Sequence, residues 1–356
     1  MRIFFYIHHL GNGGAERVTT SLANEMANQG HSVCIGLKTR GNNLYSISPE
    51  IELFENTVDN VKFFRRHKKY RALRKKIMSW NPDVIIAVMP YNFVAVKVAT
   101  LGLNIPIVVS DHTNFTWNAN WKLKFIRYYF YRTADAVAVL SKFDYNLMES
   151  RLKNAVVMYN PLSFPVITGA PERNKTVLAV GRLSVWHVKG FDRLIEIWAL
   201  VAPKFPDWKL RIAGDGSEED YNYLRDQASK YNLEDRIEFL GFCDNIKEVM
   251  TSASVFVLTS RIEGFPCSLM EAMSQGCAPV AFSIHGIIKE IITDGKDGFI
   301  VPDDDMTKFG EMLCLLLENE YQRNSFSQKA IESIRRFEVD KVVKNWMSFL
   351  ERLSRK

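Results

Sequence analysis

Short runs of apolar residues recur along the first half of the chain, separated by amphipathic stretches. Arg2–His8, Val33–Leu37, Val84–Val88, Ile107–Ser110, Ala136–Leu140 and Ala155–Tyr159 have strand length, and Val18–Ala27 and Phe63–Trp80 have helical character between them. The runs are continuous rather than alternating, so the pattern predicts parallel strands covered by helices on both faces. Asn160–Asn174 breaks the rhythm with three prolines and a glycine and reads as an interdomain linker. A second set follows, with strands over Thr176–Val180, Leu210–Ala213, Ile237–Leu240, Val255–Leu258 and Pro279–Phe282, and helices over Gly190–Leu200, Glu218–Tyr231 and Ile246–Met250. Phe337–Leu353 adds an amphipathic helix with no strand after it. The expected architecture is α/β, with two doubly wound Rossmann-like domains, 1–165 and 166–336, facing a central cleft, and a C-terminal helix, 337–356, returning to the first domain. Open parallel sheets bind ligands outside the carboxyl ends of their strands. The loops at those ends are therefore where chemistry is expected.

A chain of 356 residues suits two domains, and 47% hydrophobic residues supply a sizeable core. Cysteines at 34, 243, 267, 277 and 314 form no CxxC pair, which argues against a disulfide framework or a metal site. The opening MRIFFYIHHLGNGG lacks the apolar length and small-residue cleavage site of a signal peptide. No apolar run approaches the ~18–20 residues that span a bilayer. The chain is expected to be cytoplasmic, at most attached peripherally to a membrane. Its charge of +6 is uneven: residues 1–165 hold 21 Lys+Arg and 11 Asp+Glu (+10), and the remainder 25 and 29 (−4). The basic half calls for an anionic partner.

The loops themselves narrow the chemistry. In HHLGNGGAER, Gly11, Gly13 and Gly14 lie between a strand and a helix beginning near Ala15, a natural phosphate cradle. The spacing fits neither GxGxxG nor the P-loop, and the second strand ends in GLKTR without the acid that a nicotinamide dinucleotide requires. In the second half, Arg182 closes a strand and Lys189 precedes a helix, so two cations can clamp a diphosphate. Ala213-Gly214-Asp215-Gly216 allows close backbone approach, and Gly241 to Asn245 could hold a base by its main chain. In EGFPCSLME, Glu263 and Glu271 stand eight positions apart around a helix start near Pro266. One carboxylate beside a helix N-terminus and one further along suit a ligand with both phosphates and sugar hydroxyls. Asp303-Asp304-Asp305 reads as a solvated loop, not a metal site.

The ordered set GGAER, GRL followed by KGFDRLI, AGDG, E-x7-E and PVAF resembles the retaining glycosyltransferases of family 4, which have the GT-B fold. Nearly the whole chain is covered. It looks most like bacterial enzymes that extend surface polysaccharides or lipid-linked oligosaccharides, including N-acetylgalactosaminyltransferases with polyprenyl-diphosphate acceptors. The resemblance implies a nucleotide-sugar donor, a UDP-sugar, with no further cofactor and no metal. It places Gly13 and Gly14 at the donor diphosphate or the acceptor, and gives Glu16 of the same motif and Gly216 to donor binding. Arg182 and Lys189 would neutralise the leaving diphosphate. Glu263 would hold the donor sugar, with Gly264, Phe265, Pro266, Cys267, Ser268 and Leu269 lining the donor, and Glu271 would bind the ribose. His112, in Ser110-Asp111-His112-Thr113, would lie near the reacting sugar. The Arg-to-Lys interval of seven residues is longer than the family's usual spacing, so the loop between them must bulge.

Two further stretches point to the acceptor side. From Lys62 to Lys76 there are nine Lys+Arg and no acid, with Phe63, Phe64 and Tyr70 interleaved. Phe115–Arg132 mixes Trp117, Trp121, Phe125, Tyr128 and Tyr131 with Lys122, Lys124, Arg127 and Arg132. Both suit an anionic headgroup region, the cytoplasmic face of an inner membrane with a lipid-linked glycan acceptor. Solvated helix faces are the plain alternative, and no nucleic-acid-binding motif is present. Other readings on the same fold are a UDP-sugar 2-epimerase and a catalytically silent partner of a transferase.

Overall fold

The computed structural model describes residues 1–11, 13–39, 45–56, 65–115 and 120–355; Arg40, Lys62, Phe63, Phe64 and Trp117 of the sequence reading lie outside them. The chain forms two units, Met1–Ser163 with Val339–Lys356, and Phe164–Glu338.

Unit 1 is built on seven strands: β1 (Arg2–Ile7), β2 (Ser32–Leu37), β3 (Glu52–Glu55), β4 (Val84–Val88), β5 (Ile107–Ser110), β6 (Ala136–Val139) and β7 (Ala155–Val157). They pair in the order β3-β2-β1-β4-β5-β6-β7, and every pairing is parallel. Strand order reverses between β1 and β4, so a ligand crevice is expected at the carboxyl ends of this pair. The connecting helices are α1 (Gly14–Asn28), α2 (Arg65–Trp80), α3 (Pro90–Ala99), α4 (Trp121–Tyr128) and α5 (Lys142–Glu149). Leu73 and Ile77 of α2, Phe93 and Val96 of α3, Ile126 of α4 and Met148 of α5 share one core with Phe4, Tyr6, Ile85 and Val109 of the sheet. Those four helices therefore form one layer.

Unit 2 repeats the plan with β8 (Asn174–Val180), β9 (Lys209–Ala213), β10 (Ile237–Gly241), β11 (Ala253–Leu258), β12 (Ala278–Phe282) and β13 (Phe299–Val301), in the order β10-β9-β8-β11-β12-β13. Its helices are α6 (Trp186–Lys189), α7 (Phe191–Val201), α8 (Glu218–Ser229), α9 (Ile246–Ser252), α10 (Cys267–Ser274), α11 (Met306–Glu318) and α12 (Glu320–Ile334). The stretch read as an interdomain linker is partly packed. Val166 is buried, the Ile167 N–H donates to the Ser274 carbonyl at 2.9 Å, and Gln275 Nε2 donates to the Pro165 carbonyl at 3.1 Å.

The last helix, α13 (Val339–Ser354), belongs to unit 1 and packs on α1. Val342, Val343, Trp346, Met347 and Leu350 recur at helical spacing and form its buried face. Trp346→Ala empties the largest of these positions, and a buried Trp→Ala change costs about 3–5 kcal/mol. Hydrogen exchange should quicken in α1 and β1 while the strands of unit 2 keep their protection; unchanged exchange in α1 would contradict the assignment of α13 to unit 1.

Candidate active site

The carboxyl ends of the central strands of unit 2 are stitched together by main-chain bonds. Gly181 N–H reaches the Ala213 carbonyl at 2.9 Å, Leu183 N–H the Asp215 carbonyl at 2.7 Å, and Gly214 N–H the Gly241 carbonyl at 2.8 Å. A Cβ on Gly214 would stand 1.8 Å from the Gly181 carbonyl oxygen, so glycine is required for this approach. The three glycine loops thus form one rim. Arg182 lies on it, exposed, and has no ion-pair partner among the described residues.

The long interval after Arg182 folds into a 3-10 turn, Leu183–Val185, and the one-turn helix α6. This is the bulge that the spacing demands, and it returns Lys189 to the end of β8. A Cβ on Gly181 would lie 3.1 Å from Cγ and Cδ of Lys189, so the lysine stem runs across the glycine beside Arg182. Lys189 Nζ then lies 2.8 Å from Glu263 Oε1, which also accepts from Ser260 Oγ at 2.6 Å. The sequence reading put the cation and the carboxylate on one ligand separately; the fold pairs them with each other.

Two arginines that the sequence reading passed over hold this pair in place. Arg193 of α7 is 3% exposed. It donates to the carbonyls of Thr259 at 2.6 Å and Ser260 at 2.8 Å, and its guanidinium lies 4.2 Å over the Phe282 ring. Asp303 and Asp304 pair with it at 3.0 and 3.4 Å, and Asp305 accepts the Lys308 N–H that opens α11 at 2.9 Å. The triple-aspartate loop is therefore a structural counter-charge, not merely solvated. Arg261 clamps the facing wall: its N–H meets the Val188 carbonyl at 2.8 Å, Nη1 reaches the His187 carbonyl at 2.6 Å, and the fork grips Asp192 at 2.7 and 2.8 Å. Burial, the largest single influence, would raise the Asp192 pKa, but the Arg261 hydrogen bonds, the Arg193 N–H and the positive charges of Arg261 and His187 together outweigh it and hold the carboxyl below its usual range. Between them sits Gly190 at φ 67°, where a Cβ would stand 1.9 Å from the Thr259 carbonyl oxygen.

Helix α10 starts at Cys267 with Pro266 as its N-cap. First-turn N–H groups lack intrahelical acceptors and favour negative charge. Its neighbours divide by burial. Glu263, Gly264, Cys267 and Ser268 are partly exposed, and Glu271 is enclosed at 4% exposure. Phe265, Pro266 and Leu269 are buried, and Phe265 packs edge-on against Phe337 at 5.7 Å. The side chains of these three build the wall behind the helix start.

In unit 1 the glycine turn after β1 is filled from within. Gly11 N–H donates to His9 Nδ1 at 3.0 Å. Glu16 folds back over Gly13, its Oε2 1.9 Å from where a Cβ would stand. A carboxylate there suits the α1 dipole and repels a phosphate. Glu16 thus packs over the start of its own helix. After β5, His112 Nε2 shares a 2.9 Å hydrogen bond with Ser110 Oγ, while its enclosed Nδ1 has no partner among the described residues. Burial pushes the imidazole down to about 4, against the opposing pull of Asp111, so it is neutral near pH 7. Asp111 anchors the turn: it pairs with buried Arg127 at 3.1 Å and accepts from Tyr131 at 2.8 Å. Phe115, Arg127 and Tyr131, read earlier as part of a membrane-facing stretch, are therefore core.

Residues 12–163 match the family described as Glycosyltransferase Family 4, and residues 163–333 match Glycosyl transferases group 1. The chain belongs to the family 4 glycosyltransferases. It is 29% identical, over 98% of both chains, to the Campylobacter jejuni GalNAc-alpha-(1->4)-GalNAc-alpha-(1->3)-diNAcBac-PP-undecaprenol alpha-1,4-N-acetyl-D-galactosaminyltransferase. It is 28% identical to the amylovoran biosynthesis glycosyltransferase AmsD of Erwinia amylovora, over 95% of this chain and 96% of the relative. Among solved structures, Staphylococcus aureus TarM in complex with UDP superposes with a TM-score of 0.80 at 15% identity, covering 98% of this chain and 99% of that one. HepE of Anabaena with UDP gives 0.81 at 20% identity, covering 99% and 100%. This glycosyltransferase has the GT-B architecture of two parallel α/β sheets.

Two outcomes follow for this family 4 enzyme. The His112 value of about 4 lies below the ordinary 6.5, so between these pH values the unfolded chain binds a proton that the folded chain does not. The stability this group contributes is complete above pH 6.5 and is lost as pH falls toward 4. Melting followed across that window should fall more steeply in the wild type than in His112→Asn; parallel curves would contradict a buried neutral ring. Arg261→Ala should release α6 and Lys189, costing roughly 2–3 kcal/mol as a partly buried charge-assisted network is broken. Lys189 side-chain signals in NMR report whether its pairing with Glu263 survives.

Proposed function

We propose that this family 4 glycosyltransferase moves a hexosyl or N-acetylhexosaminyl unit from a UDP-sugar to a lipid-linked or surface-polysaccharide glycan, with retention of anomeric configuration. The observation that carries the reading is the Lys189–Glu263 pair, 2.8 Å apart, on the same strand-end rim as the unpaired Arg182. Breaking the bond between the anomeric carbon and the diphosphate oxygen leaves the bonding electrons on that oxygen. Arg182 and the remaining Nζ–H bonds of Lys189 take up that charge without a metal ion, and the α10 N-terminus adds its dipole. Preorganised donors of this kind contribute about 2.7–4 kcal/mol each. Glu263 fixes the direction of Lys189 and presents its carboxylate to sugar hydroxyls. Glu271 serves the ribose. In unit 1 the neutral His112 ring offers a hydrogen-bonding group to a sugar hydroxyl. Relatives support the acceptor and donor classes: two Campylobacter jejuni enzymes are named for undecaprenol-linked diphospho-glycans, and UDP occupies the TarM and HepE structures. An acceptor of that kind places the work at the cytoplasmic face of the inner membrane. No helix among the described residues is long and apolar enough to cross one.

A thermal-shift screen of UDP-sugars identifies the donor, since a ligand at 100 times its dissociation constant stabilises the fold by about 2.7 kcal/mol. With that donor and an undecaprenol-diphosphate-linked glycan extract, Arg182→Ala should lower kcat by about 100- to 1,000-fold. Turnover should persist in EDTA. Donor interconversion without acceptor would point to an epimerase. A full set of UDP-sugars that leaves melting unchanged would overturn the donor class.

A further inference from the structure

We infer that the outer face of the α2–α3–α4 layer in unit 1 is the surface that docks this chain on an anionic lipid bilayer. The three helices pack their inner sides on one face of the sheet, so their outer sides point the same way. Arg74 Nη1 of α2 ties to the end of α3 through the carbonyls of Ala99 at 3.0 Å and Leu101 at 2.7 Å. Lys97 Nζ of α3 reaches the Thr133 carbonyl, just beyond α4, at 2.6 Å.

Helix α4 carries an aromatic ridge. Trp121, Phe125 and Tyr129 recur every fourth residue at 74%, 55% and 60% exposure, and the Phe125 and Tyr129 rings stack at 5.5 Å. Cations flank the ridge: Lys122 Nζ lies 5.7 Å from the Trp121 ring and the Arg132 guanidinium 5.8 Å from that of Tyr129. Leu101, just after α3, is a further exposed apolar side chain at 65% exposure. On α2, exposed Arg71, Lys75 and Met78 line an open groove of about 460 Å³ together with Arg74 and Ser79. Cations around a single apolar side chain match a lipid phosphate and the first carbons of its chains.

Charge decides between a bilayer and a protein partner. From residue 65 to 134 the only acids are Asp83 and Asp111. Asp111 is buried on Arg127, and Asp83 is engaged at the start of β1, where it accepts the Arg2 N–H at 2.7 Å. Lys76 of α2 turns away to Glu52 of β3. A broad face of cations and exposed aromatics with no carboxylate complements an anionic headgroup plane, where Trp and Tyr rings settle and each cation adds attraction.

Flotation of the full chain with phosphatidylcholine vesicles, with and without phosphatidylglycerol, tests this without reference to catalysis. Binding is expected only with the anionic lipid. The triple change Trp121→Ser, Phe125→Ser, Tyr129→Ser should weaken partitioning by about tenfold or more, as should the set Arg71→Gln, Lys75→Gln, Lys122→Gln, Lys124→Gln. Both variants should melt like the wild type, because every altered side chain is exposed. Brominated acyl chains should quench wild-type tryptophan fluorescence and lose most of that effect in Trp121→Phe. Equal binding to both vesicles, no binding, or wild-type partitioning by either variant would overturn the inference. So would a dimer in solution that the ridge variant abolishes, since the ridge would then be covered by a second copy.

Discussion

A buried guanidinium holds the strand-end loop on which the unit 2 site depends. The loop after β11 turns its Thr259 and Ser260 carbonyls inward, and main-chain oxygens enclosed in this way need donors. Arg193 supplies both bonds from α7 and is balanced by Asp303 and Asp304 from the loop after β13. Only with those carbonyls tied down does Ser260 direct its hydroxyl at Glu263. Removing one member of such a network strands a buried charge, so breaking it is strongly destabilising.

Unit 1 solves the same problem with different residues. Its strand-end turn after β5 is held by Asp111, whose carboxylate takes Arg127 and Tyr131 from the α4 region. In both units a buried Arg bonded to carboxylate and main chain fixes a loop at the carboxyl end of a parallel strand. The groups carried by those loops, Glu263 in one and His112 in the other, inherit their positions from a partner distant in sequence. His112 illustrates the consequence for chemistry, because enclosure keeps its ring neutral where an exposed histidine would be partly charged.

Much of the plan was legible along the chain. Continuous apolar runs marked β1, β2, β4 to β7 and β8 to β12, since strands buried on both faces cannot alternate, and helical spacing marked α13. The edge strand β3, ELFE, escaped notice because a strand at a sheet edge need not be apolar on both faces, and β13, FIV, because three residues are too short to stand out as a run. The glycine turns were found at the right places, yet glycine spacing gave no hint that Glu16 fills the turn before α1. The E-x7-E pair was visible as two carboxylates, but its engagement by Lys189 and Ser260 was not.

Periodicity and residue type alone settled which segments become strands, which loops bear chemistry and that the first half is basic. Those properties are local, carried by neighbours within a turn or a strand. The fold decided which polar side chains are spent inside and which remain for a partner. Arg127 and Arg132 stand in one stretch of like composition, but Arg127 is enclosed on Asp111 while Arg132 faces solvent beside Tyr129. A buried charge is set by the counter-charge that a distant segment brings to it, and that pairing exists only once the chain has packed.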